Sequence, residues 1–217
     1  MKNSKLFSLI NTFVKIASEK ETLPENSKDL SVILKNLDKL ETFGARKKYA
    51  EKNLKHLSSG SSRVVYLTSD DTVIKLAKNE KGLAQNKAET NPKMKSKFLN
   101  KIIKSSKNDV WIETYYLKKI TEKKFEEMTD LDFKDFDEAI RYGLRDVSKN
   151  KDKKKPKNFD KVSASDIYKE IKSIGEKFKL MPGDLAKISS WGSKDDQPIL
   201  IDSGLTKEVF EEYYESD

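Results

Sequence analysis

The feature that most constrains the fold is a change of hydrophobic period along the chain. Between Leu57 and Tyr116 apolar residues gather into short β-branched and aromatic runs, whereas on both sides they recur at helical spacing. Arg63-Val64-Val65-Tyr66-Leu67-Thr68 and Thr72-Val73-Ile74-Lys75-Leu76-Ala77, parted by Ser69-Asp70-Asp71, predict an antiparallel hairpin. Ile102-Ile103 and Val110 to Tyr116 predict two more strands, joined by Ser105 to Asp109, with a short helix over Gly82 to Thr90. Upstream, Leu6, Leu9, Ile10, Phe13, Val14 and Ala17 predict an amphipathic helix. Lys2 and Lys5 give that segment some likeness to a secretory signal, but Asn11, Thr12 and Lys15 interrupt the apolar run and no small-residue cleavage site follows. Glu21 to Asn26, with Pro24, reads as a linker. A second helix is expected from near Ser27, with Leu30, Ile33, Leu34, Leu37 and Leu40 on one stripe and Gly44 as its stop, and then a shorter one over Ala45 to Leu54.

The helical period returns after Thr121, with Phe125, Met128 and Leu131 and then Phe133, Phe136, Ile140 and Leu144. A lysine-rich linker with Pro156 leads to a helix over Ile167 to Phe178. Trp191-Gly192 reads as a turn, Ile199-Leu200-Ile201 as a last buried strand, and Glu208 to Glu215 as a short acidic helix. Helices, an antiparallel sheet with one inserted helix, then mostly helices make an α+β chain rather than an alternating βαβ one. No stretch approaches the roughly 18 apolar residues of a membrane-spanning helix.

Composition narrows the chemistry. The chain has no cysteine and His56 as its single histidine, which excludes disulfides, thiolate zinc sites and multi-histidine metal centres, and leaves little room for a Ser-His or Cys-His nucleophile. Catalysis would run on lysines, carboxylates, hydroxyls and backbone amides. The 44 Lys+Arg against 36 Asp+Glu give a net charge of +8, concentrated in two runs. One holds Lys93, Lys95, Lys97, Lys101, Lys104 and Lys107 without an acid; the other spans Lys149 to Lys161. Neither interleaves aromatics or arginines, so a solvated face is the expected reading, with nucleic-acid binding as the alternative.

Three features point to a site: a serine/glycine turn between strands, a lone lysine (Lys75) in an apolar strand, and Asp184 and Asp202 near the C-terminus. In this order they resemble the protein-kinase-like fold. Leu57 to Tyr66 is similar to the kinase Gly-rich loop, with Gly60 the one expected glycine that stands, and Ser58 and Arg63 in place of the others. Val73-Ile74-Lys75 is similar to the Val-Ala-Ile-Lys strand, and Glu89, 14 residues on, stands where the ion-pair partner of that lysine is expected. Pro182-Gly183-Asp184-Leu185 resembles the catalytic loop, and Asp202-Ser203-Gly204 the Asp-Phe-Gly metal-binding motif.

The resemblance covers about Leu57 to Leu205 and implies ATP and Mg²⁺ as cofactors. Asp184 would orient or deprotonate an acceptor hydroxyl. Ser59, Gly60, Ser61, Ser62, Lys75, Glu89, Glu113 and Tyr115 would hold the nucleotide, and Asp202 with Ser190 the metal. It departs from the family's pattern where Pro182 replaces the catalytic-loop histidine and where Ser189 or Ser190 replaces the metal-binding asparagine. Thirteen residues follow Gly204, so the implied architecture is a small sheet lobe (56–120), a reduced helical lobe (121–217) and an N-terminal helical extension (1–55).

Three functions follow as expectations: a kinase-like phosphotransferase of unknown acceptor; a catalytically inactive kinase-fold binding or structural protein; and a lysine-rich nucleic-acid-binding protein. The lysine and asparagine usage and the Asp-x-Gly-Leu-Thr ending also resemble kinase-like proteins of tailed bacteriophages. That likeness implies a cytoplasmic or virion location and a protein partner for the N-terminal amphipathic helix.

Overall fold

The computed structural model describes residues 29–145 and 154–215; the Leu6–Ala17 helix and the start of the second lysine run, 149–153, expected from the sequence lie outside them. Helix α1 (Leu30–Lys39) is capped by Asp29, whose carboxylate accepts from the Ser31 amide at 2.8 Å, and buries Leu30, Ile33, Leu34 and Leu37. The i, i+3, i+4 spacing of these four residues is what forms one apolar face, and Leu37 is completely buried, a contribution of about 1.5–3 kcal/mol. Helix α2 (Phe43–Asn53) follows at once, capped by Thr42. Gly44 lies in its first turn and does not stop α1, which ends in the extended residue Leu40.

The sheet comprises β1 (Lys55–Ser59), β2 (Arg63–Leu67), β3 (Thr72–Ala77), β4 (Ile102–Ser105) and β5 (Trp111–Tyr115), antiparallel throughout in the order β1-β2-β3-β5-β4. Asp71, with φ 53°, closes the β2–β3 turn, while the Thr68 hydroxyl accepts from the Asp70 and Thr72 amides. Register alternation gives the sheet two faces. Val64, Tyr66, Ile74, Leu76 and Trp111 pack with α1 and α2 into one core, and the Trp111 indole N–H donates to Asp38 at 2.7 Å. The opposite face carries Arg63, Val65, Val73 and Lys75. Helix α3 (Glu80–Glu89), capped by Asn79, crosses between β3 and β4.

A second sheet joins β6 (Lys118–Lys119), β7 (Trp191–Lys194) and β8 (Gln197–Leu200), so Trp191-Gly192 is strand rather than turn. Helices α4 (Glu122–Thr129), α5 (Phe133–Gly143), α6 (Phe159–Ala164) and α7 (Asp166–Phe178) pack round it. Trp191 is fully buried, edge-on to Phe125 at 5.6 Å and Phe136 at 5.8 Å, and its indole N–H donates to the Leu185 carbonyl at 2.9 Å. Lys161, expected in a linker, lies in α6. The loop before β4 buries Met94, Phe98 and Leu99 in this second core. Lysines 93, 95, 97 and 101 of that loop, with Lys104 of β4 and Lys107 after it, are all exposed, which gives the run its physical form: a charged outer face over an apolar anchor. Leu200 ties the two halves together, its amide donating to the Phe98 carbonyl and its carbonyl accepting from the Asn100 amide. No helix among the described residues is long and apolar enough to cross a membrane.

Candidate active site

The β1–β2 connection is held tight. The Gly60 amide donates to the Arg63 carbonyl at 2.9 Å, the Lys78 ammonium reaches the Gly60 carbonyl at 2.7 Å, and the Ser62 hydroxyl donates to Gln85 of α3 at 2.8 Å. Directly below, Lys75 is only 3 % exposed. Its ammonium donates to Glu89 Oε2 at 2.7 Å and to the Ile201 carbonyl at 2.8 Å. An ammonium this deep requires acceptors, and it has one carboxylate and one carbonyl. Helix α3 therefore supplies Glu89 at the position that strand β3 needs.

Arg63 was not among the residues the sequence marked for this site. It opens β2, is 5 % exposed, and donates to Glu89 Oε1 at 2.5 Å, to Asn86 Oδ1 at 3.2 Å and to Asp202 Oδ1 at 2.6 Å. Burial disfavours the Arg63 cation, yet Asp202 and Glu89 outweigh it and strengthen its hold on its proton. Partial burial likewise opposes the charge of Asp202, whose side chain stays 44% exposed. Arg63 and then Lys75 overcome that cost and hold the Asp202 carboxyl well below the usual carboxylate range.

Asp184 arrives by a different route. Residues Pro182–Leu185 form a single helical turn, α8, with proline at its first position, where the missing N–H costs nothing. The Met181 amide donates to the Leu205 carbonyl at 2.9 Å and the Ile201 amide to the Ser190 carbonyl at 2.7 Å, stitching the Asp184 and Asp202 segments together. Burial and the nearby negative charge of Asp202 push the Asp184 carboxyl up, with Lys187 and Arg63 opposing. A carboxylate raised in this way is a better proton acceptor than an ordinary one. Gly204 matters through space rather than through φ: a Cβ there would lie 2.8 Å from the Gln85 carbonyl oxygen and from Glu89 Oε1.

Gly60, Ser61, Ser62, Lys75, Tyr115, Asp184, Ser190 and Asp202 line one cleft of about 770 Å³, with Arg63 in its wall. Glu89 stands behind Lys75 as its partner. Two expected residues fall elsewhere. Glu113 pairs with Ile74 and shares its face, turned away from the cleft, where its carboxylate accepts from the Thr72 hydroxyl at 2.8 Å. Ser59 ends β1, outside the lining, its hydroxyl accepting from Lys78 at 3.2 Å. Tyr214 also lines the cleft, reached through helix α9 (Lys207–Tyr213), and its hydroxyl accepts from the Gln85 amide at 3.1 Å. Its place depends on tertiary packing, which no local pattern carries.

A five-stranded antiparallel sheet whose third strand pairs a buried lysine with a glutamate on the following helix, facing two aspartates on a helical half, settles the architecture. The chain is α+β, a small antiparallel sheet set against a helical half. No protein-family model and no curated protein matches the chain. Solved structures that it resembles include the ADP-bound aminoglycoside phosphotransferase APH(2'')-Ib, with TM-score 0.38 and 17% identity over 79% of this chain and 69% of that one. Others are the streptomycin–ATP ternary complex of APH(2'')-IIa, with TM-score 0.35 and 15% identity over 76% and 71%, and its gentamicin complex, with TM-score 0.35 and 15% identity over 76% and 70%.

The donor set can be tested against a magnesium ion. The described residues contain no group of three or more His, Cys, Asp or Glu able to hold a metal, so these residues alone build no cage. Asp202, with its side chain 44% exposed, and the Ser190 hydroxyl line the same cleft. Magnesium commonly takes one or two carboxylates and completes its shell with water and substrate phosphates, and the residues fit an ion delivered with a nucleotide.

Proposed function

We propose that the cleft binds a nucleoside triphosphate with a divalent cation and transfers its terminal phosphoryl group to an acceptor hydroxyl. The observation that carries this reading is the Lys75–Glu89 pair at 2.7 Å in the same cleft as Asp184 and Asp202. In this reading the sheet half, residues 56–120, covers the nucleotide, with Gly60 to Ser62 over the phosphates and Tyr115 beside the base, and the helical half, 121–217, presents the carboxylates. Lys75 orients the phosphates while Glu89 keeps its ammonium in place. Asp202 and Ser190 hold the cation, which supplies charge neutralisation on the phosphate oxygens. Asp184 orients the acceptor and takes its proton as the acceptor oxygen bonds to phosphorus and the bond to the leaving nucleoside diphosphate breaks.

A second reading has its own observation. Asp202 Oδ1 is already held by Arg63 at 2.6 Å and a serine stands where the resemblance places an asparagine, so nucleotide binding without turnover is the alternative. Incubation with γ-labelled ATP, magnesium and a panel of hydroxyl acceptors separates the two. Transfer, including slow transfer to water, that falls at least about 100-fold in Asp184→Asn supports the enzyme, since general base catalysis contributes roughly 10²–10⁴-fold. ATP binding with no transfer to any acceptor would establish the binding module.

A further inference from the structure

We propose that Arg63 is a resident counter-cation of Asp202, a positioning residue that competes with the divalent cation for that carboxylate and so sets how strongly nucleotide binding depends on metal. The inference rests on the nucleotide-binding reading above and deepens it. Arg63 and Lys75 share Glu89, one on each carboxylate oxygen, and Arg63 alone continues to Asp202. Two cations thus face two carboxylates, and the group is charge-balanced before any ligand enters. The guanidinium is nearly buried and fastened at three acceptors, Glu89, Asn86 and Asp202. A planar fork reaches these acceptors from two separate nitrogens, whereas a lysine's three donors all sit on one.

Two consequences follow. A divalent cation approaching Asp202 meets a positive charge already seated on Oδ1, and in a partly dehydrated cleft that repulsion is poorly screened. The carboxylate therefore holds metal less tightly than a free one would. A diphosphate entering beside Asp202, conversely, meets a carboxylate whose charge is already offset, and binds without metal. Arg63 stands where the sequence resemblance leads one to expect a glycine. A glycine there could offer only backbone.

The test is calorimetric titration of the whole protein with ADP, in excess EDTA and in excess Mg²⁺, for the native chain, Arg63→Gln and Arg63→Lys. The native chain should bind ADP in EDTA within about tenfold of its affinity with Mg²⁺. Arg63→Gln should lose at least about tenfold, roughly 1.4 kcal/mol, in EDTA and clearly less in Mg²⁺, so that its metal dependence widens. Arg63→Lys, with the charge but not the fork, should lie between. Equal loss under both conditions in Arg63→Gln means mechanical support only and overturns the proposal. If that variant fails to fold, the native chain decides: a loss of more than about 100-fold in EDTA overturns it. Absence of ADP binding under both conditions removes the nucleotide reading and this inference with it, whereas ADP binding with unchanged metal dependence in Arg63→Gln removes the role of Arg63 alone.

Discussion

At the scale of single residues, the two motif glycines do different work. A Cβ on Gly60 would meet nothing nearer than the Arg63 carbonyl oxygen at 3.9 Å, whereas on Gly204 it would press the α3 backbone and Glu89 at 2.8 Å. Gly204→Ala should therefore cost about 1–3 kcal/mol of stability, and Gly60→Ala less than about 0.5 kcal/mol, both read from chemical denaturation. Equal losses would contradict the close approach of α3 to the Asp202 segment. The aspartates differ in sign. Asp202 has its folded-state value depressed, so its contribution to stability is fully present above the unfolded value of about 3.9 and is lost as pH falls below it. Asp184 is raised, so the folded protein holds that proton more tightly and loses stability as pH climbs past its ordinary value. Replacing Asp202 with Asn removes a like charge and leaves the Arg63 cation, so the Asp184 carboxyl should titrate at lower pH in a carboxylate ¹³C NMR titration; an upward move would contradict the coupling. Lys75 was legible from the sequence because an ionisable residue in an apolar strand has to be accounted for. Arg63 was not, because at the edge of a serine-rich turn an arginine reads as surface until the strand register turns it inward.

Elements were legible where their faces differ in polarity. The stripe of Leu30, Ile33, Leu34 and Leu37 and the alternation in β2 and β3 both report a half-buried surface. Strand β1 was hidden because all five of its residues are exposed, so an edge strand without an apolar face leaves no periodic trace. Strand β7 was hidden behind Gly192, where a Cβ would lie 2.8 Å from that of Leu117: the glycine marks close packing against the residue before β6, not a turn. Glu113 was misplaced because its position in the chain fixes which strand carries it but not which face it turns to, and a one-residue change of parity moves a side chain across the sheet. Helix α3 is the element on which the site depends, and its cap couples it to the loop: Asn79 accepts from the Gly82 amide at 3.1 Å and donates to the Ser61 carbonyl at 3.3 Å. Asn79→Ala should cost about 1 kcal/mol in denaturation experiments and weaken nucleotide binding as well; stability lost with affinity unchanged would show that the loop does not contact the ligand.

At the scale of the molecule, two cores meet along one cleft. The sheet core with α1 and α2 fixes where Lys75 and Arg63 emerge, and the core around Trp191 fixes where Asp184 and Asp202 emerge. Ion pairs and the Leu200 bridge span the gap between them. The order of motifs made this meeting legible in outline, but the contacts across it depend on sequence separations such as the 139 residues between Arg63 and Asp202, which local pattern does not encode. The six lysines from Lys93 to Lys107 are exposed, whereas Lys75 is only 3% exposed. The central claim is that the buried Lys75 is a nucleotide-binding group rather than a structural cation. Calorimetric titration of ATP with Mg²⁺ into the native chain and into Lys75→Met measures this directly, because Arg63 still satisfies Glu89 in the variant and the fold should survive. The expected result is saturable one-to-one binding by the native chain and a loss of roughly ten- to a hundredfold in Lys75→Met, the worth of about 1.5–3 kcal/mol for a charge-assisted hydrogen bond. Equal affinity in a folded Lys75→Met protein, or no binding by the native chain, would contradict it.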